Sequence, residues 1–167
     1  MYDHTFLFFG AGEAGTGIAS LIAYAIKKEK NCSDEESRKN IWLFDSKGVV
    51  VNTRTENLHH KKPFAHSPPE GDLSTLLSAV KALKPTVLVG VSAQPGAFNE
   101  EICQTMSEMN DVPLILSLSN PTSKAECTAE QAYKWTNGKA VFFSGSPFDP
   151  VTLPDGTIRV PGQGNNA

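Results

Sequence analysis

Short runs of consecutive apolar residues alternate along this chain with stretches whose apolar positions recur at helical spacing. Residues 5–9, 41–44, 86–91, 113–118 and 140–143 are unbroken apolar runs rather than alternating ones, the pattern of strands covered on both faces. Residues 49–51 predict one more short strand. Residues 14–28 predict a helix with Ile18, Leu21, Ile22, Ala25 and Ile26 along one stripe. Residues 72–83 predict another, capped by Asp72 or Ser74, with Leu73, Leu76, Leu77, Val80 and Leu83 inward. Residues 99–109 predict a third with Ile102, Met106 and Met109 inward. Thr128 caps a fourth that runs to about residue 136, with Glu130 and Gln131 in its first turn. The polar segment 31–40 suits a short surface helix or loop, and 54–71, with Pro63, Pro68 and Pro69, is expected to be irregular. Strands alternating with helices predict an α/β fold, a Rossmann-like doubly wound sheet that is mainly parallel and flanked by helices. No internal repeat or second domain is visible, so residues 1–167 are expected to form one domain.

In such sheets ligands sit beyond the carboxyl ends of the strands, which turns the strand ends into a list of candidate sites. The first run breaks directly into Gly10-Ala11-Gly12-Glu13-Ala14-Gly15 and then a helix. G-x-G-x-x-G between strand and helix is the opening of a dinucleotide-binding unit: Gly10 for the tight turn, Gly12 for close approach to a pyrophosphate, Gly15 for close helix packing. The helix N-terminus then offers free N–H groups to the phosphates. The other runs end at Asp45-Ser46-Lys47-Gly48, Gly90-Val91-Ser92-Ala93, Ser119-Asn120-Pro121-Thr122 and Ser144-Gly145-Ser146-Pro147. Turns favour such residues in any protein, but their recurrence at four of the five strand ends suits a ligand site. Asp45 stands where an acid takes the adenosine ribose hydroxyls, although its spacing from Gly15 is long for the motif. Arg54, His59, His60, Lys61 and Lys62 follow in one loop. They suit either a solvated surface or the cationic seat that a 2′-phosphate requires. Asn120 and the pair Asn165 and Asn166 are neutral donors of the kind that hold carboxylates or carboxamides.

Composition narrows the classes. A net charge of −3 removes any electrostatic case for nucleic acid or an anionic membrane. No apolar stretch approaches a membrane span in length. Cys32, Cys103 and Cys127 are scattered and read as reduced thiols. Neither a metal-ligand spacing nor a nucleophile with its base stands out, so no catalytic and no metal-binding residue is expected here.

The chain resembles the nucleotide-binding domain of malic enzymes, the oxidative decarboxylases of malate. The likeness runs through Phe9-Gly10-Ala11-Gly12-Glu13-Ala14-Gly15-Thr16-Gly17, Ile41-Trp42-Leu43-Phe44-Asp45-Ser46-Lys47-Gly48, Leu118-Ser119-Asn120-Pro121-Thr122-Ser123-Lys124-Ala125-Glu126-Cys127-Thr128, Ser144-Gly145-Ser146-Pro147-Phe148-Asp149-Pro150 and Pro161-Gly162-Gln163-Gly164-Asn165-Asn166. It implies that Glu13 and Ala14 belong to the pyrophosphate turn. Val91 and Ser92 then line the cofactor site. Asn120 and Asn166 then match positions that bind the malate carboxylates and approach the nicotinamide, with Asn165 beside them in the substrate site. Ser46 after Asp45, with Lys61 or Lys62 in the next loop, resembles the members that prefer NADP over NAD. The family's metal-binding acids, general-acid tyrosine and general-base lysine lie upstream of the glycine turn, and Gly10 stands near the first residue here. The chain is therefore expected to be a piece of a longer protein.

The parent implied by the resemblance turns malate into pyruvate and CO2 with Mg or Mn, as a homo-oligomer. The chain by itself is expected to bind cofactor without catalysis. A stand-alone dinucleotide-binding or regulatory module, which is not an enzyme, is the alternative. A soluble protein of a reducing compartment, cytoplasmic or organellar, is expected.

Overall fold

The apolar run at the head of the chain forms a strand because every one of its side chains can be buried. In the computed structural model, which describes residues 1–164, this strand is β1 (Phe6–Phe9), and all four of its residues are buried. Residues Met1–Pro85 and Thr86–Ala167 form two compact units.

In the first unit, α1 (Glu13–Lys30) follows β1, then α2 (Asp34–Arg38), β2 (Ile41–Asp45) and β3 (Gly48–Val49). β1 pairs with β2 in parallel, Phe6 opposite Ile41 and Phe9 opposite Phe44, and β3 turns back antiparallel on β2. Leu7, Phe8, Ile41 and Leu43 are fully buried, each side chain stabilising the fold by about 1.5–3 kcal/mol. The inward face of α1 differs from the expected stripe. It buries Gly15, Thr16, Ala19, Ala23 and Ile26, while Leu21 is 70% exposed. A helix that leaves a glycine turn at the end of a strand packs close to it, and small side chains permit that approach.

Asn31 ends α1 in the left-handed conformation. The polar segment after it is helical because Ser33 caps α2 by accepting from the Glu36 amide, and Lys27 of α1 holds Asp34 at 2.9 Å. A 3-10 turn over His59–Phe64 buries Phe64. α3 (Leu76–Leu83) begins later than expected, with Thr75 as its cap and Ser78 completing a capping box. The Asp72 carboxylate is engaged instead by the Ser74 amide and hydroxyl in a local turn, which removes both expected caps from that role.

In the second unit, β4 (Val87–Gly90), α4 (Glu100–Met109), β5 (Leu114–Ser117), α5 (Ala129–Trp135) and β6 (Val141–Ser144) alternate. The three strands are parallel, with Gly90 opposite Ser117 and Ser117 opposite Ser144. An antiparallel pair follows, β7 (Val151–Thr152) with β8 (Ile158–Arg159), and β9 (Gly162–Gln163) then pairs in parallel with β6. Asn99 caps α4, and Thr128 with Gln131 forms the capping box of α5. β4 is buried throughout, as expected of a doubly covered strand. β6 is not: Val141 is 41% exposed and Phe143 39%. Its neighbour β9 brings only Gly and Gln to the pairing, and the Phe143 ring occupies the space a side chain on Gly162 would need.

The class is the expected one, α/β and Rossmann-like, with mainly parallel strands flanked by helices. Cys32, Cys103 and Cys127 are free thiols. Among the described residues no helix is long and apolar enough to cross a membrane.

Two substitutions separate structural from incidental positions. Thr128→Ala removes a cap and its box and is expected to cost about 1 kcal/mol. Leu21→Gln, at an exposed position, should stay within about 0.5 kcal/mol of the parent. Urea denaturation of the two variants beside the parent chain checks both.

Candidate functional site

The first unit carries a turn and a charge cluster set side by side by strand register. Phe9 lies opposite Phe44, so the next residues, Gly10 and Asp45, leave the pair together, and the Gly10 amide donates to the Phe44 carbonyl at 2.9 Å. Gly10 has φ +120°, a conformation that only glycine adopts without strain. Gly12 is the N-cap of α1, without a capping side chain, and a Cβ there would meet nothing within 4 Å. No protein atom fills the space in front of this helix N-terminus, whose first amides are left without intrahelical partners. Thr16 donates its hydroxyl to the Gly12 carbonyl at 2.9 Å and stiffens the turn from inside.

Asp45 is held from several sides. Arg54 Nη1 and Nη2 grip the two carboxylate oxygens at 3.2 and 2.8 Å, Lys61 Nζ reaches Oδ2 at 2.8 Å, and the Lys47 amide donates to Oδ1 at 2.9 Å. The side chains of Asp45, Arg54 and Lys61 are only 11–16% exposed. Burial raises the carboxyl pKa, but the hydrogen bonds from Arg54 and Lys61 outweigh it and hold Asp45 below the usual carboxylate range. One acid between two cations leaves the cluster with a net positive charge. His60 Nε2 lies 3.3 Å from the Ala11 carbonyl and ties this basic segment to the glycine turn.

The second unit brings its polar groups to the level ends of β4, β5 and β6. Asn120, exposed and followed by a cis peptide bond to Pro121, accepts the Ser146 hydroxyl on Oδ1 at 2.8 Å. That contact occupies Oδ1 as an acceptor and assigns Nδ2 as the donor end of the amide. Gly145 leaves the room for it, since a Cβ there would stand 2.8 Å from Asn120 Oδ1. Val91 and Ser92 are half-buried, and Ser92 bonds through both its amide and its hydroxyl to Glu126.

The whole chain, residues 1–167, matches the family model described as "Malic enzyme, NAD binding domain". The chain belongs to the malic enzyme family. It is 58% identical to an NADP-dependent malic enzyme of Phaseolus vulgaris, over 99% of this chain and 28% of that protein. It is 56% identical to NADP-dependent malic enzyme 4, chloroplastic, of Arabidopsis thaliana, over 99% and 25%. A chloroplastic NADP-dependent malic enzyme of Oryza sativa subsp. japonica matches at 56%, over 99% and 26%. The chain thus spans about a quarter of the length of these curated relatives.

For this malic enzyme domain, the structure brings Gly10, Gly12, Glu13, Ala14, Gly15, Asp45 and Lys61 together in the first unit. Ser46 is exposed beside Asp45, and Lys62 is exposed beside Lys61. Asn120, Val91 and Ser92 lie at strand ends of the second. Asn165 and Asn166 fall outside the described residues. Arg54 proves to be the principal partner of Asp45, where the sequence offered it only as one cation among five. Glu126, Ser119 and Ser146 are engaged without having been singled out, and no spacing rule marks them. Among the described residues no group of three or more His, Cys, Asp or Glu side chains could hold a metal ion.

The Asp45 cluster has a pH signature. Its carboxyl pKa is lower folded than unfolded, so its stabilisation is complete above the unfolded value of about 3.9. That stabilisation is lost as pH falls through the folded value. Asp45→Asn should flatten the acid limb of stability against pH, measured by urea denaturation from about pH 5 downward.

Proposed function

We propose that residues 1–167 are the NADP-binding domain of a malic enzyme whose whole chain oxidises and decarboxylates malate to pyruvate and CO2. The observation that carries this reading is the convergence of Arg54 and Lys61 on Asp45 beside the glycine turn. A dianionic 2′-phosphate is held by cationic donors in a fixed geometry, and a guanidinium beside an ammonium supplies them. Asp45 serves the adenosine ribose subsite by holding these two cations in place, since its own oxygens already accept four hydrogen bonds. Ser46 and Lys62 add a hydroxyl and a further charge to the same subsite. The amides of Glu13, Ala14 and Gly15, with Gly10 and Gly12 kept bare of side chains, take the pyrophosphate. NADP, once bound, is the acceptor of the hydride from malate C2.

In the second unit, Asn120 offers Nδ2 to a malate carboxylate or the nicotinamide amide. Val91 and Ser92 border the nicotinamide. Asn165 and Asn166 join the substrate contacts by resemblance. The residues proposed here bind and orient; the base, the acid and the Mg or Mn ion that decarboxylation requires are assigned to the rest of the parent. The parent is proposed to work as a homo-oligomer in the cytoplasm or an organelle.

Fluorescence titration with NADPH and NADH in parallel tests this. NADPH should bind saturably and more tightly. Arg54→Ala, or Lys61→Ala with Lys62→Ala, should cost about tenfold in NADPH affinity and little in NADH affinity. A folded chain that binds neither nucleotide, or both equally, overturns the reading. With malate, NADP and Mg, the chain alone should produce no NADPH; turnover proportional to protein concentration would refute that part.

A further inference from the structure

Glu126 is a fully buried carboxylate hydrogen-bonded by serine hydroxyls and a backbone amide. Its Oε1 accepts the Ser92 amide at 3.0 Å, the Ser92 hydroxyl at 3.4 Å and the Ser119 hydroxyl; Oε2 accepts the Ser117 hydroxyl at 3.1 Å. Its backbone carbonyl accepts the Phe98 amide at 3.1 Å. The network continues outward. The Ser119 hydroxyl oxygen also accepts the Ala93 amide at 2.9 Å, and Ala93 has φ +54°, in the left-handed region. Ser117 Oγ accepts the Cys127 amide at 3.2 Å. One carboxylate therefore clamps two strand ends at once: the Val91–Ser92–Ala93 turn after β4 and Ser119, the residue before Asn120.

The sequence of β4 is adapted to this clamp. A Cβ on Gly90 would stand 2.5 Å from Glu126 Cδ and 2.6 Å from Oε2, so the strand ends in glycine because the carboxylate fills the place of a side chain. Burying an ion is expensive unless every acceptor is used, and here both oxygens are. Such a network earns its cost by rigidity: hydrogen bonds to a charged acceptor are roughly twice as strong as neutral ones, and they fix donors and backbone in a single arrangement.

We propose that Glu126 is a positioning residue for ligand binding, holding the turn at Ser92 and the seat of Asn120 in the geometry that receives the nicotinamide end of the cofactor. The inference rests on the NADP-binding reading above and adds to it a residue that touches no ligand itself. Glu126→Gln keeps size and leaves one acceptor oxygen, but places an N–H₂ group against Ser117 and removes the charge that strengthens the remaining bonds. Ser119→Ala breaks the clamp at its other end while leaving Glu126 in place.

The test compares NADPH with 2′,5′-ADP, which carries the adenosine phosphates and lacks the nicotinamide. Glu126→Gln and Ser119→Ala should each weaken NADPH about tenfold and leave 2′,5′-ADP at the affinity of the parent chain. Thr128→Ala, which removes a helix cap in the same unit, is the stability control and should change neither. Amide exchange reads the clamp without ligand: Ser92 and Ala93 should exchange faster in Glu126→Gln while α4 and β5 stay protected. Equal loss for both ligands, or unchanged NADPH binding in a folded variant, overturns the proposal and makes Glu126 a purely structural group. If the parent chain binds neither probe, the NADP-binding reading itself fails and this inference falls with it. Binding of 2′,5′-ADP and NADPH by the parent, with no difference between them in the variants, sinks the inference alone.

Discussion

Level strand ends are the constraint from which the rest of this structure follows. In parallel pairing, neighbouring strands run out at the same height, and covered strands carry only apolar side chains in between. Polar chemistry is thereby confined to the residues just beyond. In the first unit the register of Phe9 with Phe44 delivers Gly10 and Asp45 as neighbours. In the second, Gly90, Ser117 and Ser144 end their strands in one row, and Val91, Ser92, Ser119, Asn120 and Ser146 follow it directly. A slip of one residue would reverse the faces of a whole strand, so burial of Leu7, Phe8, Leu88 and Ile115 also specifies where the polar ends meet.

The two units handle a carboxylate at a strand end in opposite ways. Asp45 is partly open and paired with Arg54 and Lys61, an arrangement that orients two long flexible cations and leaves excess positive charge for an anion. Glu126 is wholly enclosed and bonded to hydroxyls and an amide. It attracts nothing from solvent and acts on the backbone around it. The first is suited to recognition by charge, the second to shape.

Several glycines follow from the same logic. Gly90, Gly145 and Gly162 leave room respectively for the Glu126 carboxylate, for the Leu118 carbonyl and the Asn120 side chain, and for the Phe143 ring. Each marks a place where another residue fills the missing side chain's volume. Gly12 differs, because nothing of the protein fills the space in front of it.

The amino-acid sequence by itself determined the order of strands and helices as far as β6, the glycine turn, the cap of α5 and the family, because these depend on neighbouring residues: apolar runs, φ preferences and a hydroxyl next to free amides. The two-residue strands β7 to β9 carry no such run. It also placed Asp45 and Asn120 at strand ends. Tertiary structure alone decided which face of α1 is buried, since close packing after the turn selects Ala19 and Ala23 over the larger Leu21. It decided that Arg54 and Lys61, rather than the other cations of the loop, grip Asp45, a matter of where an irregular loop folds back. Glu126 was hidden most completely. In the sequence it is an acid just before a helix cap, and only the approach of residues 90–93 and 117–119 encloses it. Such contacts join residues up to 34 positions apart, and periodicity carries no information over that separation.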